Sequence, residues 1–166
     1  MIRLLFTPWM ALYVLTVVLL NLGFSYVPMI ETAIGLASPM ALLAGLVFVV
    51  RDFAQRDSGH YVLVAMAIAA VLSFWLADPY VALASVTAFA LSEIGDWLIY
   101  TVTKKPFHKR VLMSSLISTP VDTAVFLGMI SGLTVGTFVL MVGAKLVAAA
   151  IIFFWYRAPT TKEEFI

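Results

Sequence analysis

The sequence lacks cysteine and has little charge. None of its 166 residues is cysteine, and charged residues make up 11% of the chain. Without cysteine there is no disulfide framework, no thiolate nucleophile and no cysteine-based metal site. Soluble domains carry about 25% charged residues, so this chain, with 63% hydrophobic residues, is predicted to be an integral membrane protein. Ten basic and nine acidic residues give a net charge of +1, so no nucleic-acid partner is expected.

Sequence motifs of several enzyme classes are also missing. The chain has no Gly-x-x-x-x-Gly-Lys-Ser/Thr phosphate loop, no His-Glu-x-x-His zinc motif and no Gly-x-Ser-x-Gly nucleophile elbow. An intramembrane aspartyl mechanism needs two carboxylates that share a proton. Asp96 and Asp122 are the candidate pair, but Lys145 nearby disfavours that mechanism. The sequence therefore predicts no enzyme, no ATPase activity of its own and no cofactor.

Apolar stretches recur along the whole chain. A membrane-spanning helix needs about 20 residues, and six such helices are predicted, at about 4–27, 36–56, 60–77, 79–102, 109–132 and 134–157. The first is interpreted as a retained helix, because its apolar run is longer than that of a typical signal peptide. No linker divides the chain, so residues 1–166 are expected to form a single all-α transmembrane domain.

Basic residues concentrate in alternate connections between the predicted helices. Arg56 follows the second helix, and a basic cluster lies between the fourth and fifth, at 104–110. The other connections contain neither lysine nor arginine. Because basic loops remain in the cytoplasm, both termini are predicted to be cytoplasmic. The apolar outer faces would contact the lipid bilayer, and they permit a homodimer.

Four ionisable residues lie inside the predicted helices: Glu93, Asp96, Asp122 and Lys145. A charge at that depth costs about 2.5 to 3.5 kcal/mol on insertion scales, so it usually faces a partner or a polar cavity. Lys145 is expected to pair with Asp122 or Glu93, which lie at similar depth. Three acids and one base leave at least one acid to be protonated, hydrated or directed at a ligand. The alternative is that all four only fix the register of the helices.

Other candidate binding residues share a helix with Glu93. One stripe on the fourth helix consists of residues that recur at helical spacing, Ser85, Phe89, Ser92 and Asp96. A site for a planar heterocycle needs apolar walls and a few placed polar groups. Phe89, and Phe126 on a similar stripe of the fifth helix, are therefore candidates to stack on such a ring. Glu93 could accept hydrogen bonds from two adjacent N–H donors.

Two more polar residues are kept as binding candidates. Asp52, at the end of the second predicted helix, is expected to point inward, whereas Arg51, Arg56 and Asp57 are interpreted as a solvated helix end. Asn21, in the first helix, can form a hydrogen bond to another helix. That contact is the expected role of Asn21, and contact with a solute is the alternative.

Part of the chain resembles a known family. The resemblance covers about 36–157 and is carried by the segments 48–56, 84–96 (Ala-Ser at its start, Glu-x-x-Asp at its end) and 118–123, and by Lys145 before its apolar run. These segments resemble the YhhQ-like queuosine precursor transporters, also called the vitamin uptake transporter family. The resemblance implies a six-helix, multi-pass protein of the inner membrane. It also implies import of a 7-deazaguanine such as 7-cyano-7-deazaguanine (preQ0).

The same resemblance implies how the base is bound. Glu93 and Asp96 would accept hydrogen bonds from its N–H edge, while Asp122 and Lys145 would complete the polar network. Glu93 stands where members of the family often have glutamine, so preQ0, preQ1 and queuine all stay open as substrates. Proton coupling and facilitated diffusion stay open as transport modes.

Two other functions are compatible with the sequence. A substrate-binding subunit of an energy-coupling-factor importer also has about six helices and takes its ATPases from partner proteins. Ala65 with Ala69, and Ala84 with Ala88, have the small-residue spacing that helices use to dock. A membrane protein that only assembles or scaffolds would carry the buried charges as structural contacts.

Overall fold

A computed structural model describes residues 7–102 and 107–156, without the side chains of 93, 94, 96–102, 107, 108, 110, 111, 114, 152, 153, 155 and 156. These residues form a mainly helical fold with one short β-hairpin. Its elements are α1 (Pro8–Tyr26), β1 (Ile30–Thr32), β2 (Gly35–Ala37), α2 (Met40–Ser58), α3 (Val62–Leu76), α4 (Pro79–Val102), α5 (Phe107–Met129) and α6 (Val135–Tyr156), with a 3₁₀ turn at Gly59–Tyr61 between α2 and α3.

The main departure from the predicted all-α fold is the hairpin between α1 and α2. β1 and β2 pair antiparallel, and Thr32 Oγ1 donates a hydrogen bond to the Gly35 carbonyl. The sequence predicted that the second helix begins at residue 36, but α2 begins at Met40. Pro39 explains the difference, because the residue before a proline is disfavoured in helical conformation and the helix cannot extend back through Ser38.

Two helical stretches within 7–102 and 107–156 are long and apolar enough to cross a membrane: Pro8–Tyr26, and Met40–Leu76, which joins α2 to α3. In the most apolar 18-residue segment of each stretch, 33% and 22% of the residues, respectively, are buried. Shorter apolar stretches belong to the other helices, at Pro79–Ser92, Ser115–Met129 and Val135–Ile151. The two long stretches indicate a membrane protein by their length and composition.

Several connections meet at one end of the bundle, called the hairpin end, which contains β1, β2 and the α3–α4 and α5–α6 connections. The Asp78 backbone N–H donates to Ser25 Oγ at 3.0 Å, which joins the start of α4 to the end of α1. The Tyr80 hydroxyl donates to the Met129 carbonyl, which joins the start of α4 to the end of α5. The hairpin end therefore provides a common reference for depth along these helices.

The hairpin packs directly on the start of α6. A Cβ placed on Gly136 would lie 1.5 Å from the Ile34 carbonyl oxygen, and one on Gly35 would lie 2.6 Å from the Thr137 backbone nitrogen. Gly35 also has a φ of +156°, which favours glycine. The Leu36 backbone N–H donates to Thr137 Oγ1 at 3.1 Å. Two glycines thus allow the backbone of the hairpin to contact the backbone of α6.

Small residues pack α3 and α4 inside the chain. Ala65 and Ala69 on α3 are 2% and 0% exposed, and Ala84 and Ala88 on α4 are both 0% exposed. Small side chains let helix backbones approach closely, and here they do so within one chain. These two alanine stripes are therefore not surfaces on which a partner protein could dock.

The polarity of this fold is unusual for a soluble protein, because four charged side chains of the described part are buried and many large apolar ones are exposed. Arg51, Asp52, Asp122 and Lys145 are all buried. Large exposed apolar residues occur on every helix, including Leu15, Leu46, Phe74, Leu91, Leu116 and Val147. Extensive exposed apolar surface marks contact with another apolar phase or partner. A lipid bilayer would supply that contact on all sides of the bundle.

Candidate functional site

A buried ion pair joins α6 to α5. Lys145 Nζ donates a hydrogen bond to Asp122 Oδ2 at 2.5 Å and another to Thr123 Oγ1 at 2.9 Å. Lys145 is 3% exposed and Asp122 is 4% exposed. Two buried charges are tolerated when they pair with each other and their hydrogen bonds are satisfied. Asp122 is one of the two partners that the sequence predicted for Lys145.

The ion pair lies at the wall of a small cavity between five helices. The cavity is lined by Leu20 and Phe24 of α1, Ala44 of α2, Ser85 and Phe89 of α4, Asp122 and Phe126 of α5, and Lys145 of α6. The space open to a water-sized sphere is about 10 Å³, which is room for about one water molecule. The side chains therefore close tightly around the ion pair.

Two pairs of aromatic rings lie near this cavity at different depths. The rings of Phe24 and Phe126 are 4.7 Å apart, and those of Phe48 and Phe89 are 5.3 Å apart. Phe126 lies three residues before the end of α5 at the hairpin end, whereas Phe89 lies ten residues into α4. At helical rise these depths are about 5 Å and about 15 Å. One aromatic pair thus lies nearer the hairpin end, and the other lies deeper in the bundle.

The face of α5 that carries Asp122 is lined with hydroxyl groups. Ser115, Ser118, Thr119 and Thr123 are all buried, at 2% exposure or less. Ser115 Oγ and Thr119 Oγ1 have no hydrogen-bond partner within the described part of the chain. Buried hydroxyls without protein partners are places where water or a ligand can bind. Buried hydroxyl groups therefore extend from Asp122 along α5, away from the hairpin end.

A second group of buried charges lies near the end of α2. Arg51 Nη1 is 3.1 Å from Asp52 Oδ1 and donates to Gln55 Oε1 at 3.1 Å. Asp52 points inward as predicted, whereas the interpretation of Arg51 as solvated is wrong, because both residues are only 2% exposed. The ionic contact and the bond along the helix compensate for the burial of the guanidinium. Arg56 and Asp57 are exposed, as expected.

Asn21 lies in a contact between helices. It is fully buried, and its Nδ2 donates to Ser73 Oγ of α3 at 3.1 Å and to the Val17 carbonyl at 3.0 Å. Its neighbour Leu20 lines the cavity, but Asn21 is not part of that lining. The structure thus places Asn21 in the interhelical role that its residue type allows, rather than at the ion pair.

The predicted site residues of α4 are only partly described. Phe89 lines the cavity, as its place on the polar stripe predicted, and Ser92 is 1% exposed and donates to the Phe89 carbonyl at 3.0 Å. Glu93 and Asp96 lie on α4 beyond Phe89, on the side away from the hairpin end, but their side chains are outside the described part. Their role in binding stays a prediction.

Four residues at the site were not predicted from the sequence. Thr123 binds Lys145, and Leu20, Phe24 and Ala44 line the cavity. Thr123 had a usable signal, since a hydroxyl next to a buried acid can share its partner. The other three are ordinary apolar residues of membrane helices, and only the packing of α1 and α2 against α6 brings them to the site.

The chain matches no protein-family model, no curated protein and no solved structure.

Proposed function

We propose that this chain is a membrane carrier that binds a small polar solute at the ion pair of Lys145 and Asp122. The main support for this proposal is that the pair is buried beside a cavity shared by five helices. Asp122 is seven residues from the end of α5, and Lys145 is ten residues from the start of α6. These separations are about 10 Å and about 15 Å, near the middle of a hydrocarbon layer about 30 Å thick. Carriers commonly bind their solutes at that depth.

The proposal includes a topology of six membrane-spanning helices. α1 and the stretch formed by α2 and α3 have the required length and apolarity, and α4, α5 and α6 pack with them around the same cavity. Arg56 and Lys109 are exposed at the end opposite the hairpin. The hairpin-end connections contain neither lysine nor arginine. The hairpin end would then face outward, and both termini would lie in the cytoplasm. The membrane that the protein spans would be the inner membrane of the cell.

The proposed solute is a 7-deazaguanine such as preQ0. Its ring presents a carbonyl oxygen next to an N–H group, and the site offers an ammonium that donates and a carboxylate that accepts. Phe89 lines the same cavity and could stack on the planar ring. This substrate class also rests on the resemblance of segments 84–96 and 118–123 to queuosine precursor transporters.

Transport would require the cavity to open, because its present volume admits about one water molecule. Phe24 and Phe126 line the cavity nearer the hairpin end, and Phe89, which contacts Phe48, lines it deeper in the bundle. Separating one aromatic pair at a time would expose the ion pair to one side of the membrane and then to the other. Such alternating access is the usual mechanism of secondary carriers.

Uptake into liposomes that contain only this chain tests the proposal. We expect labelled preQ0 to accumulate with the wild-type chain and to fail to accumulate with Lys145→Met or Asp122→Asn. A folded wild-type chain that takes up no preQ0 would contradict an independent carrier, and uptake that appears only with an added ATPase would indicate a binding subunit. Equal uptake with and without a pH gradient would exclude proton coupling, but it would not exclude a carrier.

A further inference from the structure

Gly45 is the point at which α2 contacts the backbone of Lys145. A Cβ built on Gly45 would lie 2.5 Å from the Lys145 carbonyl oxygen, 2.8 Å from the Lys145 Cα and 2.8 Å from the Ala148 Cβ. Cβ atoms essentially never approach other atoms within 3.0 Å. Two of the three atoms belong to the backbone of α6, so they cannot rotate away. Even an alanine at this position would push α2 and α6 apart.

This contact holds the residue that carries the buried ammonium. The backbone of Lys145 contacts α2 at Gly45, while its side chain contacts Asp122 and Thr123 of α5. Ala44, next to Gly45, lines the cavity together with Lys145. A change in the spacing of α2 and α6 therefore changes both the width of the cavity and the reach of the ammonium toward α5.

The geometry points to Gly45 as a positioning residue: the missing side chain sets where Lys145 places its ammonium relative to Asp122 and to the cavity. The effect on transport rests on the proposed function, whereas the effect on the ion pair does not. Binding groups must be held within about 0.5 Å of their productive position. The separation that a Cβ at Gly45 would demand is of that size or larger.

Other glycines of the same bundle provide matched controls. Gly143 lies on α6 two residues before Lys145, and Gly128 lies on α5. A Cβ on either would meet nothing within 4 Å. Alanine at these positions therefore changes the helix propensity and leaves the packing unchanged.

The first test compares uptake kinetics in liposomes. We expect Gly45→Ala to raise the KM for labelled preQ0 by about tenfold or more, since displacements of about 1 Å at a site cost up to about 100-fold. Gly143→Ala should leave the KM within about twofold of the wild type, because that position has open space. A folded Gly45→Ala protein with wild-type KM would overturn the assignment.

The second test does not depend on transport. Thermal unfolding in detergent is measured for Gly45→Ala in the wild-type chain and in a Lys145→Met, Asp122→Asn background. A positioning role predicts a larger fall in Tm where the ion pair is present, because contacting groups give non-additive effects. Equal falls in Tm in both backgrounds would show that Gly45 serves packing alone and would overturn the assignment. Absence of preQ0 uptake by the wild type would instead count against the proposed function only.

A milder variant covers the case in which Gly45→Ala does not fold. Ala148 is 2% exposed and lies at the same contact, so Ala148→Val presses on α2 from the side of α6. We expect a raised KM for preQ0 with this variant as well. A folded Ala148→Val protein with unchanged KM and an unchanged response to removal of the ion pair would contradict the positioning role.

Discussion

At the scale of single residues, the ammonium of Lys145 is held by two hydrogen bonds inside the bundle, where its side chain is buried. Its partners Asp122 and Thr123 are adjacent on α5, so one turn of helix supplies both acceptors. Attraction between the charges offsets the cost of removing them from water only while both are present. The two charged residues therefore form a unit in stability as well as in the proposed binding of a solute.

Removing one member of this pair should destabilise the protein more than removing both. Lys145→Met leaves the Asp122 carboxylate buried without its counter-ion, and such losses cost about 3 to 5 kcal/mol. The combined Lys145→Met, Asp122→Asn variant should regain a large part of that loss. Unfolding curves in detergent measure the difference. A double variant less stable than Lys145→Met would contradict this account of the pair.

Substitutions of Glu93 and Asp96 distinguish between two hypotheses for this protein, a carrier and a scaffold. If they bind the base, Glu93→Gln and Asp96→Asn should each lower preQ0 uptake by about tenfold or more, because hydrogen bonds to charged groups contribute about 1.5 to 3 kcal/mol. The control is Asp57→Asn, an exposed acid at the end of α2. Folded Glu93 and Asp96 variants with unchanged uptake would favour a structural role for these acids.

At the scale of elements, the aromatic pairs lie where helices would have to separate for the proposed passage of a solute. Phe24 of α1 contacts Phe126 of α5, and Phe48 of α2 contacts Phe89 of α4. Each pair therefore involves a different pair of helices. Helices that move as rigid bodies can separate one pair while the other stays closed.

This arrangement predicts access to the cavity from one side when one pair is truncated. The chain has no cysteine, so Ser85→Cys introduces a single thiol in the cavity lining. With Phe126→Ala, a membrane-impermeant maleimide added outside should label this thiol much faster than in the Ser85→Cys parent. Phe48→Ala is the matched control at the opposite end and should not speed labelling from outside. Equal labelling of all three proteins would contradict the assignment of Phe126 to the outer side.

At the scale of the whole molecule, the inverted distribution of polarity sets the environment in which the chain is folded. Many of its exposed residues are large and apolar, and its described acids and bases at mid-depth are buried. In water that exterior would drive association. In lipid the same exterior is solvated, and the buried polar groups then stabilise contacts between helices.

The proposed orientation can be tested with the same cysteine-free chain. Thr32 is exposed in the hairpin and Asp57 is exposed near the opposite end. In intact cells an impermeant maleimide should label Thr32→Cys and should label Asp57→Cys only after the membrane is opened. The reverse labelling pattern would indicate the opposite orientation in the membrane, with the hairpin end in the cytoplasm. Labelling of both positions in intact cells would contradict a location on opposite sides of a membrane.

Sequence patterns predicted the helices and one contact of the site well. Within residues 7–102 and 107–156, the helix ends lie within four residues of the predicted ones, because apolar run length limits the length of a helix in a membrane. Lys145 and Asp122 were recognisable because charges in apolar runs need partners. Arg51 was misjudged, since a charge near a helix end can reach solvent or fold back, and the sequence does not distinguish the two.

The composition and order of residues determined that this chain forms apolar helices and that a charge inside them, such as Lys145, needs a partner. Tertiary structure alone decided which surfaces those helices share. The alanine stripes of α3 and α4 could face a partner or the interior, and packing buried them. Nothing in the sequence around Gly45 predicts its neighbour, yet in the structure it contacts the backbone of Lys145. The physical reason is that depth follows from position along a helix, whereas the neighbour at that depth depends on how helices far apart in sequence rotate and pack.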